Sequence, residues 1–355
     1  MRVIDAHEDV AWNVLALGRD MQRSAQETRR IESGGPNPER NGQCMLGLPN
    51  WLEGGVAVVV GSIFLSPARK ASHFSWDSQC YADAQEAYRA GMAQMDVYRR
   101  LAGESERIDL IEDRAGLEAV LASWEGDSPR VGFFVSLEGA DPVRSPAEFE
   151  DWYALGVRGV GLAWALGSRY AGGNDAPGPL TDAGRALLDV MAEFGVLLDI
   201  SHLDERACWE ALDRYAGPVA ATHANPRALV PTPRQLSDRM IAALAERDGV
   251  MGIVPFNKFL KPGWLRADGK AAVTLADVVA AIDHVCQVVG DAAHVGLGSD
   301  FDGGFGAEAT PESIETVADL PKIAAALTAY GYTPSDVAGV MGENWLRVLR
   351  SALGG

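Results

Sequence analysis

Short hydrophobic runs alternate with longer amphipathic segments along almost the whole chain. Each run is a nearly continuous series of apolar residues, as expected for a parallel strand that is covered on both faces. Between the runs, apolar side chains recur at helical spacing, for example over 82–102. The pattern predicts eight strands separated by helices, and the strands are Arg2–Asp5, Val56–Leu65, Val131–Leu137, Val157–Ala163, Val196–Ile200, Pro218–Thr222, Val250–Val254 and Val295–Gly298.

Local capping signals predict where several helices begin and end. A serine or threonine directly before an amphipathic segment is typical of an N-cap, because its hydroxyl accepts a hydrogen bond from a free backbone N–H. A glycine directly after such a segment is typical of a C-cap, since glycine adopts the left-handed conformation without strain. These signals predict helix starts at Thr181, Ser237 and Thr274, and helix ends at Gly195 and Gly249.

The order of the predicted elements indicates an α/β fold. Eight strands in alternation with helices are the number needed for a closed (β/α)8 barrel of the TIM type, whose functional site lies at the C-terminal ends of the strands. An open, doubly wound sheet is the alternative, because this order does not by itself require closure. The barrel interpretation treats residues 1–355 as one domain. Within it, the polar segment 18–50 predicts either a mobile surface segment, which its composition slightly favours, or a loop or lid over the strand ends.

The composition excludes several classes of partner. The chain of 355 residues is 47% hydrophobic and carries a formal net charge of −18, which repels nucleic acid and anionic membrane surfaces. Its four cysteines are scattered without a CxxC pair, which is typical of a reducing compartment. The charged N-terminus does not resemble a secretory signal, and no run reaches the roughly 18 apolar residues of a membrane helix. We therefore expect a cytoplasmic protein with no nucleic-acid or membrane partner.

Metal-capable side chains follow the predicted strands at a recurring position, close to the strand end. His7 and Asp9 follow the first strand, and two residues apart in an extended chain they point to the same side. The third, fifth, sixth and eighth strands are followed by Glu138, His202, His223 and Asp300. Because the C-terminal ends of barrel strands converge on one face, we expect these six side chains to meet there. Imidazole and carboxylate groups suit zinc, so the pattern predicts a metal centre.

Each of these residues also has an ordinary structural interpretation. A single histidine such as His202 is more often hydrogen bonded within the protein than bound to a metal. Asp9 and Asp300 stand where an acidic residue commonly caps a helix, and Glu138 has a potential ion-pair partner in Arg158. These interpretations must hold independently at every site, whereas one metal centre explains all of them together. The histidines away from the strand ends are expected to be structural, and they are His73, His284 and His294.

The segments around these positions resemble a known family. DAHED at the first strand, LPNWLEGGV before the second, and then SLEGAD, DISHL, ATHAN, GLGSDFDG and MGENWLRVL are similar, in this order, to the renal (membrane) dipeptidase family of metal-dependent hydrolases. The likeness runs from about residue 3 to about residue 350. It implies a (β/α)8 barrel with two zinc ions per chain that hydrolyses dipeptides, often with a D-residue at the C-terminal position.

The resemblance also implies which residues of this sequence hold the metals. His7 and Asp9 would hold one zinc ion, while His202 and His223 would hold the other. Glu138 would bridge the two ions.

A second set of implied roles concerns the chemistry and the substrate. Asp300 would be the acid–base residue, so that Asp300 and Glu138 form the catalytic pair. Arg234, in TPRQLSD, would bind the terminal carboxylate of the substrate through its two-pronged donor face. The expected partner is a small dipeptide, and a homodimer is compatible with this interpretation.

Two positions depart from the family pattern. Trp164 stands where the family usually has a histidine, and Phe256 where it often has a tyrosine, so both are candidate substrate-binding residues with altered chemistry. Trp164 cannot carry a positive charge, which shifts oxyanion stabilisation to the metal or to a donor such as Arg169 or Tyr170. A packing role at the barrel rim is an equal alternative for Trp164.

Three functions are therefore compared. The first is a dinuclear zinc dipeptidase, and the second is a related metal-dependent amidohydrolase that acts on N-acyl amino acids or lactams, which Trp164 motivates. The third is a non-catalytic binding protein that retains the barrel and its metals as a structural element. Asp300 argues against the third, because a protein without activity has no need of an acid–base group.

Overall fold

The computed structural model describes residues 1–68 and 76–354, and the eight predicted strands form a parallel barrel in it. Numbered along the chain, the barrel strands are β1 (Val3–Glu8), β2 (Val56–Phe64), β3 (Val131–Glu138), β4 (Val157–Gly161), β5 (Leu197–Asp199), β6 (Val219–Ala220), β7 (Met251–Ile253) and β8 (Val295–Leu297).

The hydrogen-bonded order of these strands is β6–β5–β4–β3–β2–β1–β8–β7, with parallel pairing throughout. A parallel bridge between Ala221, directly after β6, and Met251 of β7 joins the two ends of this order. The bridge closes the sheet on itself. The predicted (β/α)8 barrel is confirmed, and the open-sheet alternative is wrong.

Helices follow the strands around the outside and also fill the connections. Among the described ranges, no helix combines the length and the hydrophobicity that crossing a bilayer requires. The α-helices run over Val10–Leu17, Ala25–Glu32, Asn37–Asn41, Leu48–Glu53, Ala84–Glu104, Arg114–Ser123, Phe149–Ala154, Asp182–Phe194, Glu205–Arg214, Asp238–Glu246, Asn257–Leu260, Leu275–Val289, Pro321–Tyr330, Pro334–Ala338 and Asn344–Ala352.

Short strands outside the barrel were not predicted from the sequence. Ile108–Leu110 pairs in parallel with the start of β3, and two small two-stranded sheets join 66–67 with 80–81 and 171–173 with 176–180. These strands have two to five residues, which is too short for a hydrophobic alternation to stand out from a loop.

The predicted helix starts are confirmed by their hydrogen bonds. The hydroxyls of Thr181, Ser237 and Thr274 each accept a bond from a backbone N–H in the first turn of their helix. Gly195 ends its helix in the left-handed conformation, as predicted. Four of these caps thus follow directly from local sequence.

The predicted cap at Gly249 is wrong. The left-handed residue after the helix Asp238–Glu246 is Asp248, with a φ of 56°. Gly249 instead lies where a Cβ would come within 2.6 Å of the Val219 carbonyl oxygen. A close approach of two backbones, and not a left-handed turn, therefore requires this glycine.

Alternate residues of the strands face two different parts of the core. Ile4, Val58 and Phe134 pack in one cluster with Trp345 of the C-terminal helix. Their neighbours along the same strands pack in the second cluster, which also contains residues of the surrounding helices, and they are Val3, Val59, Phe133 and Val135. This division follows from the two-residue period of a strand, whose side chains point alternately into and out of the barrel.

A buried ion-pair network ties the segment 18–50 to the loop after β8. The guanidinium of Arg19 donates to both carboxylate oxygens of Glu32, at 2.9 and 3.0 Å. It also lies 3.1 Å from the carboxylate of Asp302, which accepts a further hydrogen bond from the backbone N–H of Met45 at 2.9 Å. The charged ends of all three ion-pair partners are shielded from solvent. The segment is thereby held against the C-terminal face of the barrel.

Replacing Arg19 by methionine is expected to lower the free energy of unfolding by about 3–5 kcal/mol, because two carboxylates then remain buried without their cation. Urea unfolding of the metal-loaded protein, followed by circular dichroism, measures this loss. The exposed Arg23→Met is the matched control, with an expected change below about 0.5 kcal/mol. A loss below about 1 kcal/mol for Arg19→Met would mean that the network contributes no more than a surface ion pair.

Candidate metal centre

The six predicted side chains meet at the C-terminal mouth of the barrel. His7 and Asp9 lie at the end of β1, where the register with β2 shifts between Asp5 and Glu8. Glu138 is the last residue of β3. The others stand three positions beyond the last residue of β5, β6 and β8, and they are His202, His223 and Asp300.

Glu138 lies between three imidazole rings. Its Oε2 is 3.2 Å from Nε2 of His7, while its Oε1 is 3.1 Å from Nε2 of His202 and 3.5 Å from Nε2 of His223. The two carboxylate oxygens therefore face different imidazoles. A carboxylate that bridges two cations requires this division of its oxygens between two ligand sets.

Asp9 and Asp300 lie on the His7 side of this cluster. Nε2 of His7 is 3.7 Å from Oδ1 of Asp9, and the ligand atoms of His7, Asp9 and Asp300 all lie within 4.8 Å of one another. The backbone of Asp300 has a φ of 56° and donates a hydrogen bond to the His7 carbonyl oxygen at 3.0 Å. This left-handed conformation, which few residues other than glycine adopt, turns the Asp300 carboxylate toward the cluster.

Hydrogen bonds at the far side of two imidazoles determine which nitrogen carries the proton. Nδ1 of His202 lies 2.9 Å from the Asn174 amide oxygen, which can only accept. Nδ1 of His223 lies 2.8 Å from the Thr222 hydroxyl, which already donates to Asp199 and so also accepts here. Both Nδ1 atoms are thus protonated, and both Nε2 atoms carry lone pairs.

The two Nε2 lone pairs of His202 and His223 face each other at 3.0 Å, which is repulsive unless a cation lies beside them. Nε2 of His7 and Oε2 of Glu138 are buried and, among the described residues, have no hydrogen-bond partner. These four atoms can each bind a metal ion, and none of them has a protein partner of the right kind, which is the arrangement that bound metal ions satisfy. The residues present therefore fit a metal centre.

Burial and neighbouring charge set the protonation of the metal-free cluster. Burial alone would raise the pKa of Glu138, but the positive charge of His7, together with the close contacts of the carboxylate with the surrounding imidazoles, holds it well below its usual range. Burial, together with the positive charge of Arg234, lowers the pKa of His202 to about 4. Burial and the charge of His7 lower the pKa of His223 strongly as well. The carboxylate is thus ionised and these two imidazoles are neutral, which are the forms that bind metals.

A cavity of about 240 Å³ opens above the cluster and exposes it to a ligand. Glu138, His202, Asp9 and Asp300 form part of its lining. Half of the remaining lining residues are aromatic, and they include Trp12, Phe64, Trp164, Phe256, Phe259 and Phe305. Such a cleft, mostly apolar with a few convergent polar groups, is typical of a small-molecule site.

Arg234 lies in the same cavity beside the imidazoles. Its guanidinium donates to the carbonyl oxygens of Ser201 and His223, at 2.9 and 2.7 Å, and lies 5.5 Å from the centroid of the Phe259 ring. These two bonds use part of the five-donor fork of an arginine. Buried, fixed in place and facing the cavity, Arg234 can receive an anionic group from a ligand.

Comparison with known families agrees with this geometry. A family model described as membrane dipeptidase (peptidase family M19) matches residues 1–353. This chain belongs to the membrane dipeptidase family. The resemblance drawn from the sequence is confirmed, as is the prediction of a metal-dependent hydrolase of the dipeptidase type.

Individual relatives share between about a quarter and a third of their aligned residues with this family member. It is 34% identical over 214 residues to an uncharacterized protein in the pqqA 5′ region of Klebsiella pneumoniae, over 58% of this chain and 75% of that protein. It is 29% identical over 314 residues to the dipeptidase tcpJ of Claviceps purpurea, over 85% of this chain and 68% of that one. The crystal structure of a metallo peptidase from Rhodobacter sphaeroides, liganded with a phosphinate mimic of the dipeptide L-Ala-D-Ala, shares the fold with a TM-score of 0.79, 23% identity and 99% coverage of both chains.

Two of the ordinary interpretations of the candidate ligands, the ion pair of Glu138 and the helix cap at Asp9, are wrong. Arg158 donates to the carbonyl oxygens of Glu112, Tyr153 and Val157 and not to Glu138. Asp9 precedes the helix Val10–Leu17, but its side chain makes no capping hydrogen bond. The Asp9 carboxylate accepts a hydrogen bond from the Ser62 hydroxyl instead, which orients it toward the metal site.

Histidines outside the cluster lie elsewhere in the fold. Nε2 of His284 lies 2.8 Å from the Asp238 carboxylate near the surface, and Nδ1 of His294 lies 2.8 Å from the Gly249 carbonyl oxygen. His73 lies outside the described residues.

The structure brings Trp164 and Phe256 to the cavity but not the alternative oxyanion donors. Trp164 packs against His202, with ring centroids 6.2 Å apart, and Phe256 stacks on Phe305 at 4.1 Å. Arg169 instead lies beside the Asp141 carboxylate, and the Tyr170 hydroxyl donates to the Val143 carbonyl oxygen. The suggestion that Arg169 or Tyr170 faces the reacting group is therefore wrong, because both are engaged in the connection after β4.

Sequence reasoning missed the residues that orient the ligands. The Asp199 carboxylate accepts hydrogen bonds from the backbone N–H groups of Ser201 and Thr222, both at 3.0 Å, and thereby links the ends of β5 and β6. Its signal in the sequence is an acid buried at the end of a hydrophobic strand, in DISHL. Asn174, which holds His202, and Ser62, which holds Asp9, carry no comparable signal because their role depends on contacts with distant strands.

Proposed function

We propose that this chain is a dinuclear zinc dipeptidase that hydrolyses the amide bond of dipeptides with a free C-terminal carboxylate. The observation that carries the proposal is the convergence of three imidazoles on the two oxygens of Glu138, with Arg234 facing the same cavity. A metal cluster alone would suit many amidohydrolases. A metal cluster together with a buried arginine in the same cavity suits a substrate that ends in a carboxylate.

The proposed division of the ligands follows the geometry of Glu138. His7 and Asp9 would hold one zinc ion and His202 and His223 the other, with one oxygen of Glu138 directed to each pair. Bound there, the two ions would supply Lewis acidity at the scissile carbonyl.

We assign the proton transfers to Asp300. Its side chain is partly buried at the metal cluster, where desolvation raises its pKa well above the usual range of an aspartate in the metal-free protein. Asp300 accepts a proton from the attacking water as the C–O bond forms, and it returns that proton to the leaving nitrogen as the C–N bond breaks. The products are two amino acids, and Asp300 regains its starting charge.

Arg234 is proposed to bind the substrate carboxylate. Arg234→Met is expected to lower kcat/KM for L-Ala-D-Ala by about 10- to 150-fold, because a hydrogen bond to a charged group is worth about 1.5–3 kcal/mol. Steady-state kinetics with this dipeptide and with its C-terminal amide separate the carboxylate effect from general damage. The amide is the matched control. Because it lacks the anion, its kcat/KM should be nearly the same for Arg234→Met as for the unmodified protein. Equal losses on both substrates would exclude a carboxylate contact.

Two measurements test the proposed function as a whole. Elemental analysis of the purified protein should give close to two zinc ions per chain. Release of free amine from a panel that includes L-Ala-D-Ala and L-Ala-L-Ala tests the substrate class and a preference for a D-residue. Absence of turnover on every dipeptide, with zinc bound, would contradict the dipeptidase proposal.

A related amidohydrolase acting on N-acyl amino acids or lactams is the second candidate function. Trp164 favours it, because a large indole beside His202 leaves an apolar surface where a charged substrate group would be poorly solvated. Turnover of N-acyl amino acids or lactams in preference to every dipeptide of the panel would select this candidate.

The segment 18–50 is proposed to act as a lid over the cavity, whichever of the two functions holds. A cytoplasmic location and a homodimeric assembly stay predictions.

A further inference from the structure

Aromatic rings form a continuous first wall along one side of the cavity, made of Trp12, Phe64 and Trp164. The ring centroids of Trp12 and Phe64 are 6.3 Å apart, and those of Phe64 and Trp164 are 5.0 Å apart. Trp164 in turn approaches the candidate metal ligand His202 at 6.2 Å. The first wall therefore runs from the metal cluster outward along the cavity.

A second wall, made of Phe256, Phe259 and Phe305, lies on another side of the same cavity. Phe256 stacks on Phe305 with centroids 4.1 Å apart and contacts Phe259 at 5.0 Å. The Phe259 ring lies beneath the guanidinium of Arg234, at 5.5 Å. The second wall is therefore adjacent to the proposed carboxylate site.

The barrel topology places Phe64, in the middle of the first wall, across the barrel from Arg234. Phe64 is the last residue of β2, whereas Arg234 lies in the connection after β6. In a closed barrel of eight strands, β2 and β6 are opposite each other. A dipeptide with its carboxylate at Arg234 and its peptide group at Glu138 thus extends its amino-terminal residue toward Phe64 and the outer part of the first wall.

The walls predict the polarity of what they bind. Aromatic rings facing a cavity offer water few hydrogen-bond partners, so covering them with apolar ligand surface is favourable. Away from the metal cluster and Arg234, charged groups of the described lining lie at Arg40 and Asp77. The carboxylate of Asp77 already accepts hydrogen bonds from Trp12 Nε1 and the backbone N–H of Gln79. The rings of the two walls therefore supply the apolar part of the lining.

We propose that the first wall binds a bulky apolar side chain on the amino-terminal residue of the substrate, and that aromatic residues bind best there. The second wall binds the side chain of the carboxy-terminal residue. This assignment rests on the proposed function, because it takes the substrate carboxylate to lie at Arg234.

Dipeptide pairs that differ at one position test the assignment on the zinc-loaded protein. The kcat/KM for L-Phe-D-Ala is expected to exceed that for L-Ala-D-Ala by at least about tenfold, which is the scale of burying an aromatic side chain. Phe64→Ala should reduce this first-position ratio about tenfold, and Phe64→Leu should reduce it less because leucine retains apolar surface. The all-L pairs L-Phe-L-Ala and L-Ala-L-Ala are measured in parallel, so that chirality does not decide the outcome.

Phe256→Ala is the matched control on the second wall. It should leave the first-position ratio close to that of the unmodified protein and change the ratio of L-Ala-D-Phe to L-Ala-D-Ala. The reverse pattern, with Phe64→Ala changing the second-position ratio, would overturn the assignment of the walls. Turnover of all dipeptides without a first-position preference would overturn the inference and leave the dipeptidase proposal standing, whereas no turnover of any dipeptide would remove both.

Discussion

Asp300→Asn is expected to reduce kcat on dipeptides by about 10²–10⁴-fold, because an amide has nearly the same shape as a carboxylate but cannot accept and return the proton. Asparagine is the suitable replacement here, since the backbone φ of 56° at this position is tolerated by asparagine far better than by alanine. Zinc content should stay near two per chain, as the proposed ligands are unchanged. Steady-state kinetics and elemental analysis of the same preparation measure both quantities.

The matched control for Asp300→Asn is Asp96→Asn, which makes the same chemical change on the exposed side of the helix Ala84–Glu104. It should leave kcat and zinc content unchanged. If Asp300→Asn retained full turnover, the acid–base assignment would be wrong. If the variant lost one equivalent of zinc, Asp300 would be a ligand, which its distance to His7 and Asp9 makes a concrete alternative.

Glu138→Gln is expected to have the second large effect, on metal content and activity together. Both oxygens of Glu138 face imidazole nitrogens, and the negative charge between them is what a pair of divalent ions requires. Glutamine keeps the size but loses this charge and turns one oxygen into a donor. We expect zinc to fall below two per chain and kcat to fall by about 10³-fold or more, since a catalytic metal contributes several kcal/mol to transition-state stabilisation.

Added zinc distinguishes a loss of affinity from a loss of fold in this variant. Activity of Glu138→Gln should recover in part at high zinc concentration, because His7, Asp9, His202 and His223 stay in place. Glu53→Gln, at the exposed end of the helix Leu48–Glu53, is the matched control and should bind zinc normally. Two tightly bound zinc ions and unchanged turnover in Glu138→Gln would contradict a bridging role.

The strand pattern predicted the barrel because the physical signal is local. A strand covered on both faces must be hydrophobic throughout, so each of the eight runs is visible without knowledge of its neighbours. The boundaries were less accurate, as at β6, which was predicted over Pro218–Thr222 and spans only Val219–Ala220. A hydrophobic run shows which residues are buried and not which ones are hydrogen bonded to the neighbouring strand. It therefore overstates the paired length where a buried chain leaves the sheet to enter the site.

Contacts between distant segments decided what the sequence pattern left open. The ion pair of Arg19 with Asp302 and the hydrogen bond of Asn174 with His202 join residues with no common periodicity. The left-handed residue after the helix is Asp248, while Gly249 lies where a Cβ would come within 2.6 Å of the Val219 carbonyl oxygen. None of these follows from propensity, because tertiary packing outweighs local preferences of about 1 kcal/mol per residue.

By itself, the sequence determined which side chains stand at the ends of the strands, and therefore the chemical identity of the site: imidazoles, carboxylates and one arginine. Only the tertiary structure decided that the two oxygens of Glu138 divide between His7 and the pair His202 and His223, and that aromatic rings from separate segments of the chain line one cavity. The physical reason is that residue type and strand position are local properties. Distances between side chains on different strands depend on the closure of the barrel and on the packing of its whole core.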